Sequence, residues 1–117
     1  MNRFLAGRDG ENLAAQRLEE SGLKIIDRNV RSRFGEVDLV ALDNETIVFV
    51  EVKAWNAYGC VNLEYAVNAS KRKRIIETAK FFLSEHREYN SMSVRFDIVF
   101  IGPDSIQHLA SAFTERV

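Results

Sequence analysis

The stretch EVDLVALDNETIVFVEVK, residues 36 to 53, decides how the rest of this chain is read. Two runs rich in β-branched residues, EVDLVAL (36–42) and TIVFVEVK (46–53), flank Asp43-Asn44-Glu45, a polar turn-forming triplet, so the spacing predicts a β-hairpin. Side chains alternate faces along a strand, which groups Ile47, Phe49, Glu51 and Lys53 on one face and Val48, Val50 and Val52 on the other. On the first run the same rule groups Glu36, Asp38, Val40 and Leu42. A turn over Asp43 to Thr46 sets Leu42 opposite Ile47, and counting back along the pair then sets Asp38 opposite Glu51.

Cross-strand neighbours stand about 4.5–5.5 Å apart at Cβ, where two carboxylates repel unless something positive lies between them. Both faces of the second run carry large apolar residues, so the strand reads as buried on both sides and its charges need partners, whereas on a solvated strand end they would need none. A divalent cation resolves the conflict. Mg2+ or Mn2+ takes carboxylate oxygens and leaves positions for water and a substrate phosphate, so Asp38 and Glu51 are the predicted metal ligands. Lys53, one step along the same face, is placed to orient or activate the attacking water and to steady the charge of an attacked phosphate. Glu36 is either an outer ligand or the partner of Arg33 or Arg95 in a salt bridge.

The flanking segments extend this hairpin into a fold. DGENLAAQRLEES (9–21) has helical apolar spacing at Leu13, Ala14 and Leu18, with Gly22 where a helix C-cap belongs. LKIIDRNVR (23–31) reads as a strand, and Ile75, Ile76, Ala79, Phe82 and Leu83 mark a long amphipathic helix from about Ala66 to Tyr89. VRFDIVFI (94–101) is a further strand stopped by Gly102-Pro103, and SIQHLASAF supplies a short final strand or turn. The order α-β-β-β-α-β predicts an α/β fold in which a parallel crossover joins an antiparallel hairpin, giving a mixed sheet flanked by helices.

A chain of 117 residues fits a single domain, 1–117. Its formal charge of −1 gives no global pull toward nucleic acid, so any such binding must come from local patches. Two exist: Lys71-Arg72-Lys73-Arg74 at the start of the long helix, and Arg28, Arg31 and Arg33 before the hairpin. Four consecutive basics wrap around a helix, so a solvated face competes with phosphate binding, but the run follows directly on the strand bearing Glu51 and Lys53. The lone cysteine, Cys60, excludes an internal disulfide, and the charged N-terminal stretch lacks a signal-peptide core, so a cytoplasmic protein with no membrane span is expected. Asn68-Ala69-Ser70 then matches a glycosylation acceptor by chance. His86 and His108 have no zinc-ligand spacing with Cys60, and Cys60 and Tyr58 have no neighbouring base for nucleophilic catalysis.

Asp38, a spacer of twelve, then Glu51-Val52-Lys53 resembles the PD-(D/E)xK signature of the restriction-endonuclease-like nucleases, whose αβββαβ core is similar to the order read above. The combination of GRDGENLAAQRL, RNVRSRFGEVDLVA, VFVEVK and RFDIVFI is more specific and resembles the YraN-like bacterial family over almost the whole chain. The resemblance implies a nuclease-like fold; with Asp38, Glu51 and Lys53 all present as its site, the first reading is a divalent-metal-dependent endonuclease-like protein that hydrolyses DNA phosphodiesters, on branched or single-stranded DNA. In junction-resolving nucleases an acid near the start of the first helix joins the site, which here points to Glu11; the alternative is a first-turn acid favoured by the helix dipole. Among the basics the resemblance places a lysine at Lys71, which ranks first; Arg72, Arg74, Arg31 and Arg33 are the other expected nucleic-acid contacts, from their place in the two patches. The chain departs from the family pattern at Trp55, where relatives carry a base, leaving a packing role or a ring that stacks on an unpaired base. Two other classes stand beside the enzyme: a nuclease-fold module that binds nucleic acid or a protein without cutting, and a homodimer formed through an apolar helix face.

Overall fold

The computed structural model describes residues 8–54 and 67–114. Among these, helix α1 (Arg8–Glu20) precedes strands β1 (Lys24–Ser32), β2 (Gly35–Asp43) and β3 (Thr46–Ala54); helix α2 (Ala69–Glu85) and a short 3-10 turn (Arg87–Tyr89) lead to β4 (Ser93–Ile101) and β5 (Ile106–Phe113). The strands form one mixed sheet in chain order, antiparallel throughout except for the parallel β3–β4 pair that α2 joins. This is the α/β fold with an αβββαβ order that the alternation of periods implied, and the final segment proves to be a full strand on the sheet edge.

Local chemistry explains the boundaries. Helix α1 ends where Gly22, at φ +97°, lets the Leu23 amide return to the Leu18 carbonyl at 3.0 Å. The expected long helix starts three residues later than its apolar pattern suggested. Asn68 caps it by accepting from the Lys71 amide at 2.9 Å, so the asparagine of the chance glycosylation match serves the backbone. At its other end the His86 ring stacks on Phe82 with centroids 3.9 Å apart, and the chain turns out of the α-helix before Tyr89. The β2–β3 turn is tighter than expected: Asp43 already pairs with Thr46, and Asn44 takes the left-handed conformation at φ 55°.

The sheet carries a core on each face. Ile47, Phe49, Val40, Ile98 and Phe100 pack with Ile75, Ala79 and Phe82 of α2. Val48, Val50, Val99, Leu39 and Ala41 pack with Ala14, Ala15 and Leu18 of α1. Strand β3 is therefore buried on both sides, as its apolar runs required, and its alternation places Glu51 toward α2. Among the described residues no helix is long and apolar enough to cross a membrane.

Candidate active site

Asp38 and Glu51 meet where β2 and β3 part. Their regular pairing runs from Asp43 opposite Thr46 to Leu39 opposite Val50 and stops there, one position short of the pairing expected for the two acids. Leu39 and Ala41 here pack in the core with α1, whereas Val37 and Val40 belong to the core with α2. With the ladder open, the Asp38 carboxylate takes the place of a backbone acceptor and receives the Val52 amide at 2.7 Å. The carboxyls of Asp38 and Glu51 remain close enough to hydrogen-bond each other.

That closeness has an electrostatic consequence. Burial, and next the charge of Glu51, push the Asp38 carboxyl up to about 7, against the opposing hydrogen bond from Val52. Glu51 is only 5% exposed. Among the described residues its counter-charge is Lys71, whose Nζ lies 3.0 Å from Oε2, reaching down from the first turn of α2. Lys53, half-buried on β3, follows on the Glu51 face by strand alternation.

Glu11 also belongs to this neighbourhood. It is half-buried on the first turn of α1, and its carboxyl is raised above its ordinary value by burial first and by the charge of Asp38 second, while a hydrogen bond with Asn29 opposes the rise. Asn29 adopts φ 53°, and the adjoining Arg28 donates to the Asn12 side chain at 2.6 Å, so β1 is stitched to the start of α1. The contact of Glu11 with a strand asparagine was not readable from the sequence. Among the described residues no group of three or more His, Cys, Asp or Glu side chains is gathered as a ready cage for a cation.

The basic residues separate into distinct places. Lys71 and Arg74 line a groove with Arg33. Arg72 and Lys73 instead border a hollow shared with Phe113 of β5. Arg31 pairs with Glu36 at 3.6 Å, so the partner of Glu36 is neither Arg33 nor Arg95. Arg95 is committed elsewhere, to Asp43 at 2.8 Å and Asp97 at 2.9 Å. Trp55, Tyr58 and Cys60 lie outside the described residues.

Sequence reasoning passed over Asp97. It is fully buried and receives Arg95, the Ser111 amide at 3.0 Å and His108 at 2.7 Å. Burial alone would raise its carboxyl, but the hydrogen bonds outweigh that and hold it below the ordinary value. Every bond it makes ties β4 to β5 or to its own strand, at the point where the β4–β5 register shifts and Ser111 turns left-handed at φ 54°. The signal was the lone acid inside the apolar run of RFDIVFI.

Residues 10–101 match Uncharacterised protein family UPF0102. Similar chains named UPF0102 protein include one from Persephonella marina, 42% identical and covering 97% of both chains. Another, from Treponema pallidum, is 43% identical over 97% of this chain and 95% of its own. A third, from Rhodococcus opacus, is 46% identical over 92% of this chain and 94% of its own. The match thus takes in α1, the β2–β3 hairpin, α2 and β4, and the chain belongs to the UPF0102, or YraN-like, family.

Proposed function

We propose that this protein is a divalent-metal-dependent endonuclease that hydrolyses DNA phosphodiesters, on branched or single-stranded DNA. One observation carries the reading: the Asp38 and Glu51 carboxyls are held within hydrogen-bonding reach of each other with little water, which pushes the Asp38 carboxyl up to about 7. A fold gains nothing from two opposed carboxylates, and a cation between them relieves the conflict. The donor set, carboxylate oxygens with no sulfur or imidazole, suits Mg2+ or Mn2+.

Asp38 and Glu51 would hold the ion, with Glu11 beside Asp38. When bound, such an ion supplies charge neutralisation at the phosphate and eases deprotonation of water. The chain's own residues do the remainder. The Val52 amide fixes one oxygen of Asp38 and so sets its direction. Lys53 presents a compact ammonium from the end of β3 toward the charge that grows on the attacked phosphate. Lys71 and Arg74 border the place where the strand's phosphates would lie.

A second reading, a nuclease-fold module that binds without cutting, draws on the Lys71–Glu51 ion pair, which already neutralises one acid. Metal binding separates the two. Mg2+ or Mn2+ should raise the melting temperature, by the equivalent of about 2.7 kcal/mol at 100 times the dissociation constant. The gain should vanish in Asp38→Asn and Glu51→Gln; a calorimetric titration without heat would remove the metal site.

A further inference from the structure

The turn between β1 and β2 holds an aromatic ring in water. Phe34 is 37% exposed, and the Arg33 guanidinium carbon lies 5.0 Å from its ring centroid. The ring is carried on a clamped turn. The Phe34 amide donates to Ser32 Oγ at 3.0 Å, and Ser32 Oγ lies 2.8 Å from Thr78 Oγ1, which is fully buried on α2. Gly35, at φ +154°, comes so near the helix that a Cβ there would fall 3.2 Å from the Arg74 Cβ. Between this turn and α2 runs a groove of about 440 Å3, lined in part by Arg33, Phe34, Glu36, Lys71 and Arg74. Its acid, Glu36, is drawn to Arg31. Helix α2 has no acidic residue in its first turn, so its positive end adds to the charge of Lys71.

We propose that this groove takes an unpaired nucleotide, its base stacked on Phe34 and its phosphate held between Lys71 and Arg74. The proposal rests on the reading of Asp38 and Glu51 as a phosphodiester site, because Lys71 touches both places, and it names the substrate: a strand with unpaired bases beside the phosphate to be cut. An acidic peptide would use the cations but leave the ring idle. A base uses both, since every base has a face to stack, and a paired base in a duplex keeps that face covered.

The test is fluorescence anisotropy in EDTA, with a short labelled single strand, the same strand carrying abasic sites, a fully paired duplex, and polyglutamate as competitor. Phe34→Ala should weaken binding of the base-containing strand roughly 5- to 150-fold, the span of one stacked base. Binding of the abasic strand should stay unchanged, and Phe34→Trp should restore the loss. Arg74→Gln should lower the slope of log affinity against log salt by about 0.7 for both single strands. The proposal is overturned if the wild type binds no strand, if Phe34→Ala affects both strands alike or neither, if the duplex binds as tightly, or if polyglutamate competes equally. Because EDTA removes the metal, these outcomes are independent of cleavage, which reads the carboxylates alone.

Discussion

Lys71 Nζ lies 3.0 Å from Glu51 Oε2, an ion pair that joins the first turn of α2 to β3 beside the Asp38 carboxyl. The lysine does from one side what a cation would do at the same place. Removing it tests how much of the site's charge conflict it absorbs. Lys71→Met should cost about 1–3 kcal/mol in metal-free buffer, less than the roughly 3–5 kcal/mol of a fully buried broken pair, because the lysine is partly in water. Adding Glu51→Gln should recover most of that loss. Denaturant midpoints of the four proteins of this cycle give the answer, and an unchanged midpoint in Lys71→Met would mean that Glu51 has another counter-charge.

The Asp38 carboxyl gives a pH signature. Its folded pKa, about 7, stands above the unfolded value of 3.8, so between these values the folded chain holds more protons than the unfolded one. Stability from this group is present below about pH 4 and is lost as pH rises toward 7. Glu11, also raised, acts in the same direction, whereas Asp97, lowered, acts only at more acid pH. In EDTA the melting temperature of the wild type should therefore fall relative to that of Asp38→Asn across pH 4 to 7. Saturating Mg2+ should reverse the trend, since the ion binds the deprotonated pair. Parallel curves for the two proteins would show that Asp38 titrates normally.

Asp97 separates structure from chemistry. It accepts from Arg95, His108 and Ser111 with no access to water, and its bonds hold the edge strand β5. Asp97→Asn offers an amide to donors that need an acceptor, and should cost about 3–5 kcal/mol. The rise in melting temperature on adding metal, from the lowered starting point, should stay as in the wild type. A selective loss of that response would move Asp97 into the candidate site.

What the sequence made legible is whatever depends on period. The hairpin register came from counting outward from the turn, and Leu42 does face Ile47. The burial of β3 on both faces came from its unbroken apolar runs. The counting also brought Asp38 to Glu51; that the regular ladder stops one pair earlier, with the Val52 amide on the Asp38 carboxylate, was not readable from period. For the same reason the separation of Arg72 from Lys71 and Arg74 was out of reach: consecutive residues on a helix point apart, and only the docking of α2 decides which meet the hairpin. Gly35 and Thr78 set that docking through contacts between elements far apart in sequence. Asp97 was legible in principle, as an acid at a position where its neighbours are all apolar.

The most direct measurement is single-turnover cleavage at saturating DNA in Mg2+ or Mn2+, on flap, four-way-junction, single-stranded and duplex substrates, for wild type, Asp38→Asn, Lys53→Ala and Lys53→Arg. The wild type should cut a substrate with unpaired bases. Asp38→Asn should not, and Lys53→Ala should be slower by roughly 10²-fold or more with binding in Ca2+ almost unchanged. Lys53→Arg should fail as well, because a broad planar guanidinium does not replace a compact ammonium. If the wild type binds these DNAs yet cuts none with either metal, or if Lys53→Ala cuts as fast as the wild type, the catalytic account is wrong and the protein is a binding module.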